Sequence, residues 1–294
     1  MIKKILLTLL LVAGIAGSIV AITRSDSPTS SKRLQAAASY YPLYDFAKHV
    51  GGDKIDVTNL TPAGTEPHDY EPSPKVLISA QDSQVFIYNG GHMEPWAQKF
   101  LGDYSHTTVK ASQGITLRPG QDPHFWLDPV LAQQIVNNIR DGLTKADPQH
   151  KDYYYQNAVN YNQQLAKLDK AFSGGLASCQ QHTVISSHEA FSYLAARYNF
   201  TVEAIAGLSP EDEPSAERLT SLSTLVKDSG IRYVFFESLV SPRLADTIAQ
   251  ETGAQTLVFD PIEGLSETDQ KQGKNYITIQ YENLKNLQQA LTCS

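Results

Sequence analysis

The sequence is poor in several features, and each shortage removes a class of function. No long run of Lys and Arg occurs in its 294 residues, and the formal net charge is −7, so nothing suits nucleic acid as a partner. The only cysteines are Cys179 and Cys293, too far apart to be the core of a cysteine-based metal site. No HExxH helix is present, which removes the usual zinc-peptidase signature. No cysteine closely follows the apolar segment near the N-terminus, so a lipid anchor on cysteine is excluded.

That apolar segment is the first positive signal. Lys3 and Lys4 precede "ILLTLLLVAGIAGSIVAIT", residues 5–23, the order of an export signal. The run is also just long enough to span a bilayer. No small-x-small cleavage site closes it, and the "AAA" at 36–38 falls inside the first expected strand. A cleaved signal and an uncleaved anchor both remain open. Either places the rest of the chain at the periplasmic or extracellular face of the cytoplasmic membrane. Residues 24–33, "RSDSPTSSKR", read as a flexible tether. In that oxidising setting the two cysteines are a disulfide or two free thiols.

From Leu34 onward, short apolar runs alternate with helical stretches. Strands are expected in "RLQAAASYY", "KIDVTNL", "SQVFIYN", "TTVK", "HTVISS", "FTVEAIAG", "IRYVFFES" and "AQTLVFDP", with helices between them. This alternation predicts an α/β fold with parallel sheets built from βα units. Apolar residues recurring every three or four positions predict a long helix over 149–172, with Tyr155, Ala158, Asn162, Leu165, Leu168 and Phe172 on one face. The expected organisation is an N-terminal lobe over 34–147, a linking helix over 148–175 and a C-terminal lobe over 176–294.

In open α/β sheets, ligands bind beyond the carboxyl ends of the strands. Four residues stand there. His68 lies in "TPAGTEPHDYEPSP", a Pro- and Gly-rich loop that cannot run far as helix or strand. His124 lies in "DPHFWLDP", His188 in "VISSHEAF" and Asp260 in "LVFDPIEG". Each comes from a different βα junction, two per lobe, so the four can meet where the lobes face each other. Three neutral imidazoles and one carboxylate suit Zn²⁺. Each also has an ordinary reading: His68 as a surface loop residue, His124 as a packed core group, His188 as a helix cap, Asp260 as a turn starter.

The segments "GTEPHDYEPSP", "DPHFWLDP", "ISSHEAFSYLAARY" and "FDPIEGLSE" together resemble the signature segments of the metal-binding solute receptors of zinc and manganese ABC importers. "ASYYPLYDFAKHVGG" and "FIYNGGHMEPW" are similar to that family as well, and the likeness runs over residues 36–292. The resemblance implies two α/β lobes bridged by a rigid helix. It implies a metal ion held in the cleft by His68, His124, His188 and Asp260, and delivery to a membrane permease by a monomeric receptor. Capture is expected by the ligands of one lobe, completed by the other, with the long helix limiting the motion.

Two departures bear on the metal. Zinc-dedicated members often carry a His-rich acidic loop in the first lobe, whereas residues 102–123 hold only His106. Manganese members often have glutamate as third ligand, whereas His188 stands here, followed by Glu189. The balance favours zinc, with manganese as the alternative. Among the neighbours, Asp128 before Pro129 fits a helix start, Glu66 and Glu189 are candidates to bond ligating imidazoles, His92 reads as a solvent-facing loop residue, and Tyr153–Tyr155 read as packing and surface. A zinc hydrolase, with Asp260 or Glu189 as base, and a surface adhesin with an incidental metal are the competing functions. A fourth protein ligand would close the site, which suits a carrier better than an enzyme.

Overall fold

The structure is a computed structural model and describes residues 33–294. The apolar segment 5–23 and all but the last residue of the 24–33 tether lie outside the described residues. Among the described residues no helix is long and apolar enough to cross a membrane.

The expected strands all form, as two four-stranded parallel sheets. The first contains β1 (Leu34–Ala38), β2 (Ile55–Asn59), β3 (Val85–Tyr88) and β4 (Thr107–Lys110), in the order β2-β1-β3-β4. The second contains β5 (Thr183–Ser186), β6 (Thr201–Ala204), β7 (Tyr233–Phe236) and β8 (Gln255–Val258), in the order β6-β5-β7-β8. Each sheet therefore reverses its winding between its first and third strands. Such a reversal opens a crevice at the carboxyl ends of the strands. Ala36, Ala37 and Ala38 on β1 are fully buried, and their small side chains let helices pack closely on both faces of the first sheet.

The long helix runs Lys151–Gly175, somewhat beyond the expected end. Its buried face is Tyr154, Ala158, Tyr161, Leu165, Leu168 and Phe172, so two of the six expected positions are corrected by one residue. Tyr155 points outward, over the Arg140 guanidinium. Tyr154 and Tyr161 can be buried because their hydroxyls have acceptors: Tyr154 donates to Asp147 at 2.6 Å and Tyr161 to Asp45 at 3.0 Å. The face is continuous with one apolar cluster that takes in Phe46, Trp126 and Ile135 on one side and Phe191, Phe259 and Leu287 on the other. The helix is thus packed into both lobes rather than merely spanning between them.

Helix starts follow their local chemistry. Asp128 caps Pro129–Ala146 by accepting from Val130 N at 2.8 Å, as its position before proline predicts. The helix expected from about Met93 begins only at Ala97, because the preceding turn buries the Glu94 carboxylate against backbone amides. Cys179 and Cys293 form a disulfide, which ties the C-terminus to the base of the long helix. In the chain-entropy model a loop of this length contributes about 3–5 kcal/mol.

Candidate metal centre

His68, His124, His188 and Glu263 offer ligand atoms that all lie within 4.8 Å of one another. They come from the carboxyl ends of four strands: His68 beyond β2, His124 beyond β4, His188 beyond β5 and Glu263 beyond β8. His124 Nε2 lies 3.1 Å from His68 Nε2 and 3.3 Å from His188 Nε2. Glu263 Oε1 stands 3.2 Å from His68 Nε2, 3.2 Å from His124 Nε2 and 3.4 Å from His188 Nε2. A tetrahedron of zinc bonds of about 2.0–2.1 Å has edges of about 3.3–3.4 Å. The five measured separations are close to the edges of such a polyhedron.

Two of the imidazoles are held from behind. His124 Nδ1 lies 2.8 Å from Asp122 Oδ1, which also accepts the His124 backbone N–H at 2.9 Å. His188 Nδ1 lies 2.7 Å from Glu237 Oε1, which accepts the His188 N–H at 3.2 Å. A carboxylate at Nδ1 keeps the proton there and leaves Nε2 with its lone pair. Lone pairs facing each other at 3.1–3.3 Å repel unless a proton or a metal cation lies between them. The donor set therefore calls for a proton or a metal cation in these gaps, and the four side chains together could enclose one ion.

The electrostatics point the same way. Burial opposes the charged form of His188, but Glu237 and Glu263 outweigh it and hold the imidazole well above its ordinary range. His68 is also raised against its burial, by Glu263 and Glu66. Burial pushes the Glu263 carboxyl up, yet His188, His124 and His68 bring it well below the carboxylate range. Glu66, buried against Glu263, is pushed up to about 8.

Asp260 is not one of the clustered groups. It lies three residues before Glu263 and turns its Oδ1 to the backbone N–H of Ile262, at 2.7 Å. Glu66 lies beside the site and accepts the His68 N–H at 3.0 Å. Glu189 is exposed, and so is His92. Glu263, Asp122 and Glu237 were not among the sequence candidates. Glu237 directly follows β7, so the strand-end rule applied to every strand would have found it. Asp122 stands two residues before His124, the spacing of a carboxylate that folds back on a neighbouring imidazole.

Comparison with known proteins agrees with this geometry. The profile of the family "Zinc-uptake complex component A periplasmic" (ZnuA) matches residues 37–290. The chain is 38% identical over 290 residues to the high-affinity zinc uptake system protein ZnuA of Bacillus subtilis, covering 92% of this chain and 91% of that one. It is 40% identical over 286 residues to the zinc-binding lipoprotein AdcA of Streptococcus pneumoniae, covering 90% of this chain but only 57% of AdcA, so it spans little more than half of that relative. The crystal structure of the Zn(II)-bound ZnuA-like domain of Streptococcus pneumoniae AdcA superposes with a TM-score of 0.80 at 42% identity, over 88% of this chain and 99% of that domain. With most of its length matched by the profile and two lobes built around one buried cluster of imidazoles and carboxylate, the chain belongs to the ZnuA family of periplasmic zinc-uptake components.

Proposed function

We propose that this chain is the extracytoplasmic receptor of an ABC importer, capturing one zinc ion as cargo between its lobes and handing it to a membrane permease. The ligands are His68, His124, His188 and Glu263, with Glu263 in the role the sequence reading gave to Asp260. The lobes span 34–147 and 176–294, joined by 148–175, and the receptor acts as a monomer. The observation that carries this reading is the set of Nε2 and Oε1 separations of 3.1–3.4 Å, which suit a small tetrahedral cation. Manganese more often asks for additional oxygen ligands, and the cluster offers a single carboxylate among three nitrogens.

Capture follows from the chain's own groups. Asp122 and Glu237 face Nδ1 of two imidazoles and so turn each Nε2 toward the site before the ion arrives. The ionised Glu263 attracts the cation and neutralises part of its charge. Protons shared among the imidazoles and Glu263 leave as the ion binds, so uptake is linked to pH. Competitive titration with zinc and manganese tests this. One zinc per chain, bound more tightly than manganese and weakened by His188→Ala and Glu263→Ala, is expected. Unchanged affinity in both variants overturns the assignment. Similarity to receptors in place of enzymes supports a carrier, and metal-dependent turnover of ester, peptide or phosphate substrates would favour the hydrolase instead.

A further inference from the structure

The segment that delivers Glu263 is backbone-strained and over-determined. Ile262 has φ +58°. This left-handed conformation is open to Gly and, at some cost, to Asn, but it is a genuine outlier for a β-branched residue. Its side chain is nevertheless fully buried in the core. Such strain persists only where the surroundings enforce it, and it concentrates at functional sites.

Here the enforcing groups can be named. Asp260 Oδ1 accepts the Ile262 N–H at 2.7 Å. Pro261 between them has a fixed φ, and its carbonyl accepts from Trp126 Nε1 at 2.8 Å. Asn283, buried on the last helix (Tyr276–Ala290), grips the Asp260 backbone from both sides: its Oδ1 accepts the Asp260 N–H at 2.9 Å and its Nδ2 donates to the Asp260 carbonyl at 2.7 Å. The residue presented by this clamp is Glu263, whose carboxylate faces all three imidazoles.

We infer that Asp260 is a positioning residue for the metal site: by bonding the Ile262 amide it holds the left-handed turn that aims Glu263 at the ion. Asp260 carries no ligand atom itself. An extended Ile262 would reverse the direction in which the next side chain leaves the backbone, so loss of the Asp260 acceptor frees Glu263 to leave the cluster. The strained φ has a purpose in this arrangement, because a Gly at 262 would permit the turn without fixing it, and the buried Ile side chain anchors the turn to the core.

The inference rests on the metal-site reading, and the test separates the two. The intact protein and the variants Asp260→Ala, Asp260→Asn, Asn283→Ala, Glu263→Gln and His188→Ala are titrated with zinc, and their cobalt(II) d–d spectra are recorded. Asp260→Ala is expected to lose about 10–100-fold in zinc affinity, the range for removing a group that supports a ligand. Its cobalt spectrum should move to that of Glu263→Gln, the signature of a lost carboxylate. Asp260→Asn keeps an oxygen acceptor for the amide and is expected to recover most of the affinity and the original spectrum. Asn283→Ala gives the same readout if Asp260→Ala does not fold. An unchanged spectrum and affinity in Asp260→Ala, or in Asn283→Ala where that variant stands in, overturns the inference. Asp260→Asn binding as weakly as Glu263→Gln also overturns it, since Asp260 would then ligate directly. If Glu263→Gln and His188→Ala bind as the intact protein does, the metal-site reading itself fails.

Discussion

His68 and His124 are the same ligand type in the same cluster, yet the loops that carry them are opposites. Residues 122–129 are buried throughout. Tyr193 donates to the Asp122 carbonyl at 2.9 Å and accepts from Arg118 N at 2.8 Å, Asn89 donates to the Pro123 carbonyl at 2.9 Å, and Gln280 to the Leu127 carbonyl at 3.0 Å. Ser192 bonds Asp122, and Arg197 pairs with Asp128. The His124 loop is N-terminal in sequence, but it is fastened largely by side chains of the C-terminal lobe. The loop over 61–73 is half exposed, and beyond Thr61 its backbone ties to other elements include Gly64 N to the Leu265 carbonyl at 2.9 Å. The comparison suggests a test of the expected order of capture: His124 is fastened by many side chains, whereas the loop that carries His68 has fewer ties to the rest of the fold.

Removing the ligand on the fastened loop should break the site most completely. His124→Ala should cost zinc affinity well beyond about 100-fold, because it also leaves Asp122 buried without its imidazole partner. His68→Ala should cost less, since its half-exposed loop lets water reach the vacant position. Equal losses, measured by competition against a chelator, would erase the distinction between the loops. Next in size, Asp122→Ala should lower affinity about 10–100-fold with the fold intact, by freeing the His124 ring.

Acidity sharpens the contrast further. His68 and His188 are raised, so their proton-linked stability is complete below the unfolded imidazole value and is lost as pH rises through their folded values. Glu263 is depressed, so its contribution is complete above the unfolded carboxyl value and is lost as pH falls through its folded one. Those two contributions are both complete between about pH 4.5 and 6.5, while Glu66 and Glu94, raised to about 8 and about 7, add a loss that begins as pH rises past the unfolded carboxyl value, so the metal-free protein should weaken steadily toward pH 8. Zinc replaces the protons, so the zinc-induced rise in Tm should grow from about pH 6 to 8. A constant increment in calorimetry would contradict imidazole ligation. The smallest effect on binding is expected from reducing Cys179–Cys293. It should cost about 2–5 kcal/mol of stability in denaturant titration while leaving zinc affinity unchanged, because the bridge closes the far end of the C-terminal lobe.

Much of this was readable in advance. Strand–helix alternation and the strand-end rule located both sheets and three imidazoles, because those patterns depend on local periodicity. Asp260 and Glu263 both follow β8, and which of them faces the cleft depends on one backbone dihedral at Ile262, a tertiary outcome with no sequence mark. Tyr154 and Tyr155 likewise differ only in helical phase, and the choice was made by acceptors on distant elements, Asp147 among them. Glu94 escaped notice for a similar reason. Its burial, which raises its carboxyl to about 7, is tolerated because Ser39, Asn89 and Gly90 donate to it.

The strut between the lobes carries a last consequence. At 25 residues, about 37 Å, packed into both halves, it opposes any large hinge between them. A permease that tells loaded from empty receptors is then expected to read local changes around the cleft, not a swing of one lobe.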